Sequence, residues 1–286
     1  MYLALYGFNN KSNKKCERSE VGFNIAILSS KEYHEKSTRY QTNLIVQRQI
    51  LNLYPENLIF CNFIAGIGGD RCYDQMPNDK LEPVITKALK EYNDNFADMG
   101  LVLFEDALKH VCRITRIVLP PGGHPLLIGQ RSSGKQSLTK LAVFIMTYTL
   151  FMISISSYYG MNDLRNDLRL LYQKSGVKGE PIMFLFNEVQ ITNERLTYIT
   201  DLLTSGEVAE LYNSDEKEDL INQIRPKVKA DGRSDTRDSC WGWLIDRVRQ
   251  NLHMTLCFSP VGESLRKRAS QFSALINSTV IDWFHP

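Results

Sequence analysis

The sequence predicts an α/β fold, a parallel sheet covered by helices on both faces. Downstream of Pro125, short apolar strands alternate with helical stretches. The strands are continuously apolar, as in Ile182-Met183-Phe184-Leu185-Phe186, which suits burial on both sides. One of them runs through a polar, glycine-bracketed loop into a helix.

Taken in chain order, residues 1–56 mix polar and charged types with weak periodicity. An amphipathic helix is expected over residues 40–53, and the segment is otherwise unassigned. Residues 57–100 read as a mostly helical lead-in. Leu58-Ile59-Phe60 is a short apolar run, and Leu81, Ile85, Leu89, Tyr92 and Phe96 have helical spacing over 80–96. A second helix is expected over 101–117. Residues 101–286 then form the nucleotide-binding subdomain: strand Pro125-Leu126-Leu127-Ile128, loop 129–133 and helix 134–149. Strand 151–155, helix 163–174, strand 182–186 and helix 193–203 follow. Helices between 215 and 252, strand 254–258, a helix near 264–270 and strand 279–283 complete the pattern.

The chain has 286 residues, enough for a sizeable core, and 43% hydrophobic with 23% charged residues is the balance of an ordinary folded chain. A net charge of +2 gives no global case for nucleic acid or an anionic membrane, so neither is expected as a partner. The six cysteines form no CxxC pair and read as free thiols. The longest apolar stretch, residues 141–155, is shorter than the roughly 20 residues a bilayer span needs. No signal peptide is visible, and the expected location is cytoplasmic. The five histidines show no paired-ligand spacing, so a catalytic metal site held by histidine is not expected. Trp241 and Trp243 are read as core packing in preference to a partner surface.

The chemistry points to Gly129-Gln130-Arg131-Ser132-Ser133-Gly134-Lys135, which fits the first seven positions of the phosphate-loop pattern G-x-x-x-x-G-K-[ST]. Glycines let backbone N–H groups turn toward phosphate oxygens, and the helix N-terminus adds positive potential. Lys135 is the flexible cation that reaches the outer phosphates. Chance supplies about 0.1 such strings in a chain of this length, so the strand and helix on either side are what make the match informative. The eighth position holds Gln136, and the hydroxyl of Ser137 comes one residue later. Downstream, Phe184-Leu185-Phe186 leads into Asn187 and Glu188. If Asn187 faces the metal, its neutral amide is a weaker Mg2+ ligand than a carboxylate, while Glu188 can orient an attacking water. Binding is therefore expected to survive better than hydrolysis.

Several strings resemble, in order, the fourth AAA+ module of dynein heavy chains, nearest the axonemal type. They are Gly134-Lys135-Gln136-Ser137-Leu138-Thr139, Phe184-Leu185-Phe186, Ser205-Gly206-Glu207-Val208, Asn251-Leu252-His253, Ser259-Pro260-Val261-Gly262 and Ile281-Asp282-Trp283-Phe284. The similarity starts near Leu58 and includes the lead-in at residues 101–108, which the resemblance places beside adenine. It implies ATP or ADP with Mg2+ as cofactors. Gly129, Gln130, Arg131, Ser132, Ser133, Gly134, Lys135, Gln136 and Ser137 would form the phosphate loop. Asn187 and Glu188 would form the acidic-strand motif, and Ser259 would stand at the sensor position.

Glu188 and Lys135 are the catalytic candidates on this reading, and Ser137 and Asn187 the metal candidates. Arg266 and Arg268 lie where such modules offer an arginine to a neighbour, although a solvated basic helix end is the default for them. By the same resemblance residues 281–286 end the core, so the helical lid is expected to be absent and turnover by the chain alone slow or nil. The implied partners are other AAA+ modules of a dynein ring, with microtubules reached only through parts not expected here. The implied location is the cytoskeleton of a cilium or flagellum. Two alternatives stay open: a degenerate structural ring module, supported by Gln136, Asn187 and Ser259, and a stand-alone P-loop enzyme.

Overall fold

The computed structural model describes residues 59–69, 73–153, 159–190, 192–261 and 264–285, all within the unit Asn57–Pro286. The segment 1–56 with its expected helix, Cys16, Cys72 and the 154–155 end of the expected strand lie outside the described residues.

A small antiparallel pair, β1 (Ile59–Cys61) and β2 (Asp74–Met76), opens this part of the chain and leads to α1 (Asn78–Asn95) and α2 (Glu105–Ile117). The main sheet has five strands, all parallel, in the order β4-β5-β6-β3-β7. They are β3 (Pro125–Ile128), β4 (Thr149–Met152), β5 (Ile182–Asn187), β6 (Leu252–Phe258) and β7 (Val280–Trp283). Between them run α3 (Lys135–Ile145), α4 (Met161–Tyr172), α5 (Asn193–Ser205), α6 (Ser214–Ala230), α7 (Arg237–Asn251), α8 (Ser264–Gln271) and the short α9 (Ala274–Asn277). Among the described residues no helix is long and apolar enough to cross a membrane.

The unbroken apolar strands have the cause expected of them. Leu126, Ile128, Phe184, Phe186, Leu256 and Phe258 enter a core shared with α4 and α5, while Leu127, Leu185 and Cys257 enter a second core with α1, α2 and α3. Successive residues on a strand point to opposite faces, so each strand feeds both layers. Helix α2 shows the helical counterpart, burying Ala107, Leu108, Val111, Ile114 and Ile117 on one stripe. Each large apolar side chain fully buried in this way contributes roughly 1.5–3 kcal/mol.

Element boundaries differ from the expectations in physically informative ways. The helix expected over 101–117 begins only at Glu105, because Phe104 is extended (φ −108, ψ 167). Helix α3 stops at Ile145 rather than running to 149. Thr147 takes φ 55, the amide of Tyr148 donates to Val143 O (3.0 Å), and the amide of Thr147 donates to Phe144 O (3.0 Å). This is a Schellman closure, usually made by glycine, with Tyr148 packed on the apolar cluster that includes Val143. Released there, the chain enters β4 at Thr149, earlier than the expected 151, and pairs Thr149 with Ile182. Strand β6 likewise starts at Leu252, directly after α7, instead of at 254. The helix expected over 163–174 occupies 161–172 and continues as a π-helical turn, Gln173–Lys178.

Both tryptophans pack as anchors. Trp243 is buried and donates Nε1–H to Asp231 Oδ2 (2.7 Å), and Trp241 donates to Glu207 Oε1 (2.9 Å) with Lys217 over its ring. The described cysteines, Cys61, Cys112, Cys240 and Cys257, are free and buried.

Candidate functional site

Three neighbouring strands deliver the candidate residues to one edge of the sheet. Ile128 pairs with Phe258, and Asn187 pairs with Cys257, so the loop after β3, the end of β5 and the end of β6 emerge side by side. This is the carboxyl edge of a parallel sheet, where open α/β folds bind ligands. A cavity of about 480 Å³ lies there, lined by the loop from Arg131 to Ser137 and by Asn187, Glu188 and Ser259. Gly129 and Gln130 form the base of the same loop.

The loop's geometry depends on two glycines. A Cβ on Gly129 would fall 2.6 Å from Phe284 Cβ and 2.9 Å from Ser133 Oγ. Gly134 has φ 79, which L side chains rarely adopt. Ser132 takes φ 67 without being glycine, a local strain of the kind found at ligand loops. The amide of Ser133 donates to Gln130 O (3.3 Å), and Gly129 donates to Phe258 O (3.1 Å). The amides of Arg131, Ser132, Gly134, Lys135 and Gln136 donate to no described residue. Those of Lys135 and Gln136 belong to the first turn of α3, where a helix leaves its N–H groups unpaired and its positive end exposed.

Lys135 folds back over this loop. Its ammonium donates to Gly129 O (2.7 Å), Gln130 O (2.5 Å) and Ser133 Oγ (3.0 Å), which uses all of its donors. Burial pulls its pKa below the ordinary lysine value, against the opposing pull of Cys257 and Glu188. Cys257 is a weak opponent, since burial pushes its own thiol up to about 12 and leaves it neutral at pH 7. Glu188 supplies the charge that opposes the shift.

The acidic candidate is held from two sides. Glu188 Oε2 accepts from the amide of Ser259 (2.9 Å), and Oε1 lies 3.9 Å from Arg268 Nη1. Arg268, grouped above with Arg266 as a candidate for a neighbour's site, thus faces the Glu188 of its own chain. Arg266 lies instead on a separate, more open surface with Lys267. The amide of Asn187 donates to Gln190 Oε1 (2.9 Å), while its side-chain Oδ1 is buried with no hydrogen-bond partner among the described residues. A buried acceptor without a donor is costly, and a cation or an ordered water would satisfy it. Ser137 and the more exposed Gln136 line the same cavity, so the oxygen-bearing side chains present fit a hard divalent cation.

A second cavity of about 720 Å³ adjoins the first and shares Arg131 to Gly134 and Ser137 with it. Leu101, Val102 and Phe104 line it, in the stretch that the resemblance puts beside adenine. So do His110, Arg113 and Phe284, which the sequence reading missed. Asp282, buried on β7, accepts from His110 Nδ1 (2.7 Å) and Arg113 Nη1 (3.1 Å), and the His110 ring stacks on Phe284 at 3.7 Å. Two signals were available in the sequence: an aspartate in an otherwise apolar strand needs a partner, and His110 and Arg113 are spaced i, i+3 on one helix face.

Comparison with known proteins agrees with this geometry. Residues 99–286 match the family model described as the P-loop containing dynein motor region D4. The dynein alpha chain of the flagellar outer arm of Chlamydomonas reinhardtii is 49% identical over 234 residues, covering 81% of this chain and 5% of that one. The ciliary dynein beta chain of Tripneustes gratilla is 47% identical over 242 residues, 84% of this chain and 5% of that one. Human dynein axonemal heavy chain 17 is 45% identical over 234 residues, 82% of this chain and 5% of that one. The chain thus spans about 5% of the length of the curated relatives it matches. With the phosphate loop, the strand order and the family match all agreeing, the chain belongs to the P-loop dynein motor region D4 family.

Proposed function

We propose that this chain is a nucleotide-binding AAA+ module of an axonemal-type dynein heavy chain, in which ATP or ADP occupancy regulates a microtubule motor. The observation that carries the reading is the loop after β3, where unpaired amides, a helix N-terminus and the Lys135 ammonium converge on one cavity. On this reading residues 57–100 are the lead-in and 101–286 the large nucleotide-binding subdomain.

Lys135 exchanges its loop acceptors for the outer phosphates as the ligand enters. Ser137 and Asn187 would hold Mg2+, which would neutralise phosphate charge when bound. Glu188, fixed by the Ser259 amide, orients a water beside the terminal phosphate. Asn187 brings one carboxylate fewer than a metal site of this type normally has, so binding is favoured over turnover. The partners are further AAA+ modules of a ring, and the ciliary, flagellar and axonemal names of the relatives support a location in the cytoskeleton of a cilium or flagellum.

The test is calorimetric titration of ATP and of ADP into wild type and Lys135→Ala, each with Mg2+. Wild type should bind, and the variant should bind at least ~10-fold more weakly, as expected for loss of a charge-assisted phosphate contact of about 1.5–3 kcal/mol. Equal affinity in the two proteins, or no binding to wild type, would remove the proposal.

A further inference from the structure

Resting on that reading, we propose that the side chain of Arg131 is a second phosphate-binding cation, making the loop prefer a nucleoside triphosphate to a diphosphate. Arg131 lines the phosphate cavity and its neighbour, and also a third space of about 380 Å³ that it shares with Gln130, Glu188, Ser259 and Val261. It therefore stands on the loop opposite Glu188 and Ser259, the groups set to meet the outermost phosphate. The left-handed turn at Ser132, directly after it, fixes the direction in which the chain leaves Arg131.

Charge balance supports the same assignment. Lys135 has every donor engaged by Gly129, Gln130 and Ser133, and must give up these bonds to reach a phosphate. Arg131 is exposed and makes no hydrogen bond or ion pair with any described residue. Its guanidinium offers a planar fork that matches two phosphate oxygens. Gln136 and Asn187 are neutral at positions where a hydroxyl and a carboxylate would strengthen the metal. More of a triphosphate's negative charge then falls to the protein's own cations. A diphosphate ends short of the space between Arg131 and Glu188 and gains little from the guanidinium.

The experiment titrates ADP and a non-hydrolysable ATP analogue into the 286-residue chain, with and without Mg2+. Wild type, Arg131→Gln, Arg131→Lys and Lys135→Ala are compared, with thermal melting of each to confirm folding. Arg131→Gln should weaken the triphosphate about 10-fold and ADP less than about twofold, and Arg131→Lys should recover part of the difference. The tri-to-diphosphate ratio should also shrink as salt is raised. Equal losses for both nucleotides in Arg131→Gln, or none, would overturn the role of Arg131. Should Lys135→Ala still abolish ADP binding in that case, the phosphate-site reading survives without it, and a wild type that binds neither nucleotide defeats both.

Discussion

The same substitution, glycine to alanine, should have opposite effects at Gly129 and Gly242. At Gly129 the new methyl would lie 2.6 Å from Phe284 Cβ, 2.9 Å from Ser133 Oγ and 3.3 Å from Phe284 O. Two of these neighbours cannot swing aside, because a Cβ and a carbonyl move only with the backbone, and Phe284 is anchored by its amide to Ile128 O at 2.7 Å. Overpacking of this kind costs about 1–3 kcal/mol, and displacing the Phe284–Ile128 hydrogen bond adds about 1 kcal/mol. The sum of ~2–4 kcal/mol corresponds to a fall in Tm of roughly 4–16 °C for a folded unit of this size. Gly242, inside α7, has nothing within 4 Å of an added Cβ. There alanine should stabilise by about 0.5–1 kcal/mol through helix propensity. Thermal unfolding by circular dichroism, backed by urea midpoints, reads both effects, and nucleotide titration should show a loss only for Gly129→Ala. A Gly129→Ala protein that melts and binds as wild type would show that β7 does not constrain the phosphate loop and would refute the reasoning.

Two further outcomes follow from the packing. Thr147→Gly should raise the urea midpoint by the equivalent of about 1 kcal/mol, since a β-branched residue at φ 55 is strained in the Schellman closure that glycine normally makes; a lowered midpoint would show the threonine to be favoured there. Acid should weaken the fold through His124, whose Nδ1 accepts from the Met254 amide at 3.0 Å and whose pKa is lowered to about 3 by burial, then by His253 and Arg249. The unfolded chain takes up this proton near pH 6.5 and the native state does not, so stability is complete above that pH and falls as pH drops toward 3, by at most ~1.4 kcal/mol per pH unit. Urea midpoints between pH 7.5 and 4.5 should decline less steeply in His124→Asn than in wild type, and parallel declines would remove His124 from the account.

What the sequence determined by itself was whatever local chemistry encodes. The strand-loop-helix at Pro125 to Lys135 was legible because an apolar run, two glycines and a lysine at fixed spacing specify a phosphate loop without outside help. The strand leading to Asn187 and Glu188 was legible because a run buried on both faces leaves little else for it to be. Tertiary structure decided what depends on partners far away in the chain. The end of α3 was hidden because threonine, not glycine, takes the left-handed position at Thr147, held there by backbone hydrogen bonds and by Tyr148 packing on an apolar cluster. Asp282 meets His110 and Arg113 only because β7 lies beside β3 and against α2, across some 170 residues of chain. Arg268 faces its own Glu188 only once β5 and β6 are paired and α8 has folded back over their ends. Periodicity and motif spacing act over a few turns of chain, whereas the sheet order that brings these groups together is set by the packing of the whole core.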